Sequence, residues 1–112
     1  MAKLLVADDD RHFLNVLARF FEAEGYEVVA CRNGQEALDR ARSDRPDALV
    51  LDVALPLVTG DAIARQVEAP VLFISGRDLD RTEGLSGDRF RFLKKPADLD
   101  EVLVLVRELL GE

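Results

Sequence analysis

The residues that could do chemistry stand at the ends of short apolar runs. Asp8, Asp9 and Asp10 follow Leu4 to Ala7, and Asp52 follows Ala48 to Leu51. Ser75, then Gly76, follows Val71 to Ile74, and Lys94-Lys95-Pro96 follows Phe90 to Leu93. Carboxylates brought close together repel and cannot all stay ionised unaided. A hard divalent cation resolves the conflict. A small set of oxygen ligands suits Mg2+, which keeps several waters, and the chain offers no His or Cys grouping of the kind zinc prefers. A carboxylate, a metal, a hydroxyl and a lysine together describe phosphoryl transfer. The carboxylate is the nucleophile, and the cations neutralise the equatorial oxygens of the transferred group. His12, although close to the acids, reads as an exposed first-turn residue, and Asp10 reads as a helix cap. Cys31 reads as a small buried hydrophobe.

These groups meet only if the ends of the apolar runs share one edge of a sheet. Runs such as Leu4-Leu5-Val6-Ala7 and Ala48-Leu49-Val50-Leu51 are continuous rather than alternating, as expected of strands buried on both faces. Between them lie helical patterns. Phe13, Leu17, Phe20 and Phe21 recur at helical spacing after Asp10, with Gly25 placed as a C-terminal stop. Tyr26 to Cys31 forms the second strand, Asn33-Gly34 a turn, and Gln35 to Ser43 a short helix with Ala37, Leu38 and Ala41 on one face. Pro56 and Gly60 mark a loop, and Asp61 to Val67 predicts a helix of about two turns. From Gly76 to Asp88 the pattern weakens, so any helix there is short. Asp98 opens a last helix ending near Gly111, whose Leu99, Val102, Leu103, Val106 and Leu110 face the core. Five strands alternating with helices predict a doubly wound α/β domain with a parallel sheet. Such sheets bind ligands at the carboxyl ends of their strands, where the acids, the serine and the lysine stand.

Composition narrows the function. A chain of 112 residues is one domain. Its net charge of −7 opposes binding to a phosphate backbone or an anionic membrane surface. The one cysteine rules out an internal disulfide framework. No apolar run approaches the ~20 residues that span a bilayer. The start at Met1-Ala2-Lys3 has no signal-peptide architecture, so the sequence reads as cytoplasmic.

Val6-Ala7-Asp8-Asp9-Asp10, Asp47 to Asp52, Leu55-Pro56 with Gly60, Ser75, and Phe92-Leu93-Lys94-Lys95-Pro96 occur in this order along the chain. Together they resemble the receiver domain of two-component response regulators, over essentially the whole of residues 1–112. The resemblance implies a flavodoxin-like five-stranded sheet in the order 2-1-3-4-5, with helices on both faces. It implies that Asp52 accepts a phosphoryl group from the phosphohistidine of a histidine kinase or histidine phosphotransfer protein. Asp8, Asp9, Asp52 and the backbone carbonyl of Ala54 would hold Mg2+. Lys95 would contact the phosphoryl oxygens, and Ser75 would move toward the phosphoryl group, with Phe92 as the switch aromatic that follows it. The Lys95–Pro96 bond would be cis. Ala54 and Arg77 stand where the family sets the lifetime of the acyl phosphate. Such a domain is not an enzyme with metabolic turnover, since it assists only its own phosphorylation and dephosphorylation.

Pro70, Phe73 and Gly76 also match part of the P-F-x-F-A-T-G signature of a subgroup of single-domain response regulators, with Ser75 in place of Thr. The stretch from Asp52 to Ser75 is short for the family, which predicts a stunted third helix, and the fourth lacks the family's usual Ala-rich, Gly-Ala-ending pattern, so both are expected to be short. Since the sequence ends at Glu112, it reads as a stand-alone receiver whose output is either contact with a downstream protein or onward phosphotransfer, as a phosphate intermediate or sink. Val104 and Leu105 widen the apolar stripe of the last helix, so a homodimer through the last strand and helix is a candidate. Two rival readings fit parts of the pattern. One is a degenerate receiver acting as a phosphorylation-independent binding module. The other is an aspartate-nucleophile phosphohydrolase built on Asp8 and Asp10, whose motif would need Thr or Val at His12.

Overall fold

The apolar runs form five parallel strands: β1 (Lys3–Ala7), β2 (Glu27–Cys31), β3 (Ala48–Leu51), β4 (Val71–Ser75) and β5 (Phe90–Lys94). The computed structural model describes all residues, 1–112. The strand order is β2-β1-β3-β4-β5. Four helices connect and flank the strands: α1 (Arg11–Ala23), α2 (Gly34–Asp44), α3 (Gly60–Ala64) and α4 (Leu99–Leu110).

Alternation along each strand splits the core in two. Leu5, Ala7, Leu49, Leu51, Phe73 and Phe90 face α2 and α3. Leu4, Val6, Val50, Leu72 and Ile74 face α1 and α4, where they meet Leu14, Leu17, Phe21, Val102 and Val106. Central strands β1, β3 and β4 are therefore continuously apolar over Leu4–Ala7, Ala48–Leu51 and Val71–Ile74, as a sheet covered on both sides requires.

The starts of α1, α2 and α4 follow the capping rule. Asp10 Oδ1 accepts from the Phe13 N–H at 3.2 Å, Asn33 Oδ1 from Glu36 N–H at 2.8 Å, and Asp98 Oδ1 from Asp100 N–H at 2.8 Å. Asn33-Gly34 is thus less a free turn than the cap and first residue of α2. Gly25, with φ of +95°, follows the last turn of α1 in the left-handed region.

The side between β3 and β5 is where the sequence reading needs correction. The expected helix from Asp61 to Val67 is one short piece, Gly60–Ala64. A fourth helix between β4 and β5 is absent, and a 3-10 turn at Leu79–Thr82 takes its place. With no helix over that end of the sheet, two arginines lace the connections together. Arg65 pairs with Asp61 Oδ2 at 3.1 Å and donates to the Glu83 carbonyl at 3.0 Å. Arg89 donates to the Ala64 and Ala69 carbonyls at 3.1 and 3.0 Å, with its guanidinium 4.2 Å from the Phe90 ring centroid. Ala64 ends α3, so Arg89 satisfies a carbonyl the helix itself leaves free. Arg89→Ala leaves both carbonyls short of a donor and should destabilise the fold by about 2 kcal/mol, read as a lower urea midpoint with an unchanged slope.

Candidate functional site

Parallel pairing carries the four strand-end residues to one edge. Ala7 pairs with Leu51 and Ser75 with Lys94. The ladder then runs one residue further: Asp52 N–H donates to the Ala7 carbonyl at 3.1 Å, and Lys95 N–H to the Ser75 carbonyl at 3.0 Å. Asp8 N–H likewise donates to the Cys31 carbonyl of the edge strand at 3.2 Å. Asp8, Asp52 and Lys95 therefore emerge from the β1, β3 and β5 ends with fixed backbones, and Ser75 closes β4 between β3 and β5.

Their side chains converge. Lys95 Nζ lies 2.8 Å from Asp8 Oδ2 and 3.5 Å from Asp52 Oδ2. Ser75 Oγ lies 2.9 Å from Asp52 Oδ1, which also accepts from the Ala54 N–H at 3.2 Å. Ser75 Oγ meets the Arg77 carbonyl oxygen as well. A hydroxyl carries one proton, so Ser75 donates either to the Asp52 carboxylate or to the loop that follows it. Asp52 is 6% exposed and Asp8 2%, whereas Asp9 is exposed. A cleft of about 300 Å³ opens over the group, lined by Asp9, Asp52, Ala54, Ser75, Arg77 and Lys95.

The electrostatics follow from this crowding. Burial raises the Asp8 carboxyl above its ordinary value and outweighs the hydrogen bonds from Lys95 and from the Asp10 N–H; the Asp52 charge pushes the same way. Burial also opposes the charge on Lys95. The hydrogen bond and charge of Asp8, helped by Asp52, prevail and hold the ammonium above its ordinary range, so it is charged at neutral pH. Asp8, Asp9 and Asp52 each place a carboxylate oxygen within 4.8 Å of the others, against one ammonium. An all-oxygen donor set with excess negative charge fits a hard cation of the Mg2+ type.

The other sequence candidates divide. Asp10 caps α1, and its N–H donates to Asp8 Oδ1 at 2.9 Å, which orients the acid. Lys94 and His12 are exposed and have no contact with the cluster. Cys31 is buried, and burial, with Glu36 beside it, pushes its thiol up to about 12. The Lys95–Pro96 bond is cis. Phe92 stacks on Phe73 with ring centroids 5.5 Å apart, yet remains 41% exposed. It lies on the same face of β5 as Phe90, in the part of the sheet that the missing helix leaves uncovered.

Two glycines that the sequence marked as loop and turn prove to be contacts. A Cβ at Gly60 would lie 2.3 Å from the Asp52 carbonyl oxygen, and one at Gly34 only 1.6 Å from the Val58 carbonyl oxygen. The loop from Val53 to Thr59 is thus held tightly between Asp52 and the start of α2. Phe13 was read only as a core residue. Its ring lies under the ammonium of Lys95, at 4.8 Å from the centroid.

Comparisons with known proteins agree with this geometry. Residues 4–107 match the model of the response regulator receiver domain. Response regulator MprA of Mycobacterium avium (strain 104) is 41% identical over 96% of this chain, and the chain spans about half, 50%, of that relative. The receiver domain of Francisella response regulator 1452 shares 28% identity at a TM-score of 0.86, covering 99% of this chain and 98% of that one. A response regulator receiver domain protein of Clostridium thermocellum has the same fold, with a TM-score of 0.89 at 22% identity over 99% and 95% of the two chains. The strand order, the edge that gathers Asp8, Asp52, Ser75 and Lys95, and the match over residues 4–107 lead to one conclusion: the chain belongs to the response regulator receiver domain family.

Proposed function

We propose that Asp52 accepts a phosphoryl group from the phosphohistidine of a histidine kinase or histidine phosphotransfer protein. The observation that carries this reading is the setting of Asp52. Its carboxylate faces a polar cleft, with the Ser75 hydroxyl at 2.9 Å on one oxygen and the Lys95 ammonium at 3.5 Å from the other. A carboxylate oxygen attacks phosphorus, the P–N bond breaks, and its electron pair returns to the imidazole nitrogen. The product is an acyl phosphate on Asp52. Lys95 places positive charge where the phosphoryl oxygens gather. Ser75, released from its choice between Asp52 and the Arg77 carbonyl, donates to the new group.

Asp8, Asp9 and Asp52, with the Ala54 carbonyl, are the residues that would hold Mg2+. When bound, that cation relieves the repulsion within the acid cluster and offsets the charge of the incoming group. Ala54 and Arg77 line the cleft and are the proposed determinants of how readily water reaches the acyl phosphate. Hydrolysis returns Asp52 to its starting state, so the domain is a regulated acceptor and not a metabolic enzyme. The added charge biases the Ser75–Arg77 segment, and Phe92 on the adjacent strand is the proposed second switch residue. Output is then contact with a downstream protein, for which exposed Phe92 on β5 and Val104 on α4 supply apolar surface; the same surface suits a second copy of the chain. The curated relatives are about twice as long as this chain, and the size of the native protein in cell extract decides between a separate receiver and one coupled to further chain. No helix is long and apolar enough to cross a membrane.

Incubation with acetyl phosphate and Mg2+ tests the reading by intact mass. The expected result is a gain of one phosphoryl group that disappears when the metal is chelated. No gain from acetyl phosphate or from a phosphohistidine protein would favour the phosphorylation-independent binding module instead.

A further inference from the structure

We infer that Phe13 is a positioning residue for Lys95, holding its ammonium over the cleft when the carboxylates are otherwise engaged. The inference rests on the acceptor reading above. Lysine is a compact charge on a flexible four-carbon stem, so something must fix where Lys95 ends. In the structure three groups do: Asp8 Oδ2 at 2.8 Å, Asp52 Oδ2 at 3.5 Å and the Phe13 ring at 4.8 Å. The first two are also the proposed metal ligands and, in the case of Asp52, the nucleophile. Whatever charge they give to a cation or to a phosphoryl group is withdrawn from Lys95. The ring face is the one of the three contacts that neither event competes for. An ammonium over an aromatic face is held by the ring quadrupole, more strongly where water is thinned, and both partners here are half-buried.

Phe13 is itself placed by the acid cluster. The Asp10 N–H donates to Asp8 Oδ1, and Asp10 Oδ1 accepts from the Phe13 N–H. The first turn of α1 is thereby tied to the end of β1, and the ring is brought under the lysine that leaves β5. Beyond the ring lies an open groove of about 500 Å³, lined by Asp10, Phe13, Lys95, Pro96 and Ala97. That groove has room for a para hydroxyl, so tyrosine preserves the ring face, whereas leucine keeps the apolar packing against the core beneath α1 and removes the ring face.

The test compares wild type, Phe13→Leu and Phe13→Tyr in two measurements. The first is the initial rate of phosphorylation by acetyl phosphate with saturating Mg2+. Phe13→Leu is expected to slow it about 3- to 10-fold, the range a partly desolvated cation–π contact supports, and Phe13→Tyr to recover it to within about twofold. The second is the proton NMR shift of the Lys95 ε-methylene, recorded with and without Mg2+ and with no phosphodonor. The ring current should move it upfield in wild type and Phe13→Tyr in both conditions, and the displacement should be lost in Phe13→Leu. A merely structural role would leave the tyrosine variant as slow as the leucine one. That result, an unchanged rate in Phe13→Leu, or a Lys95 shift that loses its displacement when Mg2+ is added to wild type would overturn the inference. Wild type that takes up no phosphoryl group while keeping the upfield shift contradicts the acceptor reading, and the inferred role in phosphorylation falls with it.

Discussion

Lys95→Ala is expected to slow phosphorylation of Asp52 by about 100-fold, the cost of removing one preorganised charge partner from a reacting centre. The lysine is placed for the task by the backbone as much as by its side chain. Its N–H extends the β4–β5 ladder to the Ser75 carbonyl at 3.0 Å, and its ammonium reaches both buried acids. No other cation is paired with these acids: Arg77 lines the cleft without an ion pair to either, and Lys94 is exposed. Loss of Lys95 leaves Asp8 and Asp52 without a counter-charge. Calorimetric titration should therefore find Mg2+ bound at least as tightly by the variant as by wild type. Slow phosphorylation with undiminished metal binding separates a role on the phosphoryl group from damage to the acid cluster. A variant phosphorylated at the wild-type rate would remove Lys95 from the mechanism.

The second large effect is on stability. Gly34→Ala should cost about 3 kcal/mol or more, at the upper end for overpacking a fitted interior. The new methyl would sit 1.6 Å from the Val58 carbonyl oxygen and 2.5 Å from the Val58 carbonyl carbon. Both are backbone atoms, so no side-chain end can swing aside. Gly34 N–H also donates to the Pro56 carbonyl at 2.8 Å, and that bond would be stretched as the loop moves. Against this, alanine gains only about 1 kcal/mol of helix propensity over glycine. Chemical denaturation should show the loss as a lower midpoint. Because the displaced segment begins at Asp52, the folded fraction should also phosphorylate more slowly. A stability within 0.5 kcal/mol of wild type, the usual limit of a harmless surface change, would show that the loop is loose enough to move aside.

Much of the site was legible because it depends on local facts repeated four times. An apolar run ending in Asp, Ser or Lys places that residue at a strand end, and parallel topology does the rest. Asp8, Asp52, Ser75 and Lys95 needed no knowledge of which helix packs where. The misjudged elements depend on distance in three dimensions. Asp61 to Val67 keeps a helical pattern, but the chain must turn after Arg65 to reach Pro70 and β4, so the helix stops at Ala64. Between Gly76 and Asp88 the weak pattern was a true guide: three glycines and sparse apolar residues leave little to pack, and only the 3-10 turn at Leu79–Thr82 forms. The lacing by Arg65 and Arg89 could not be foreseen, since each guanidinium reaches carbonyls of a different connection. Gly34 looked like half of a turn because Asn-Gly is a turn pair, and nothing local reveals that Val58 lies against it. Phe13 had the spacing of a core residue, and its second neighbour, Lys95, is remote in the chain.

The central claim is that Asp52, and not Asp8 or Asp9 beside it, becomes the acyl phosphate. Borohydride reduction after incubation with acetyl phosphate and Mg2+ cleaves the acyl phosphate and converts the modified aspartate to homoserine, which fragment sequencing by mass spectrometry then places in the chain. The account predicts homoserine at position 52 and nowhere else, and none in Asp52→Ala. Homoserine at position 8 or 9 in the wild-type chain would contradict it, because those carboxylates are assigned to the cation and not to the phosphoryl group.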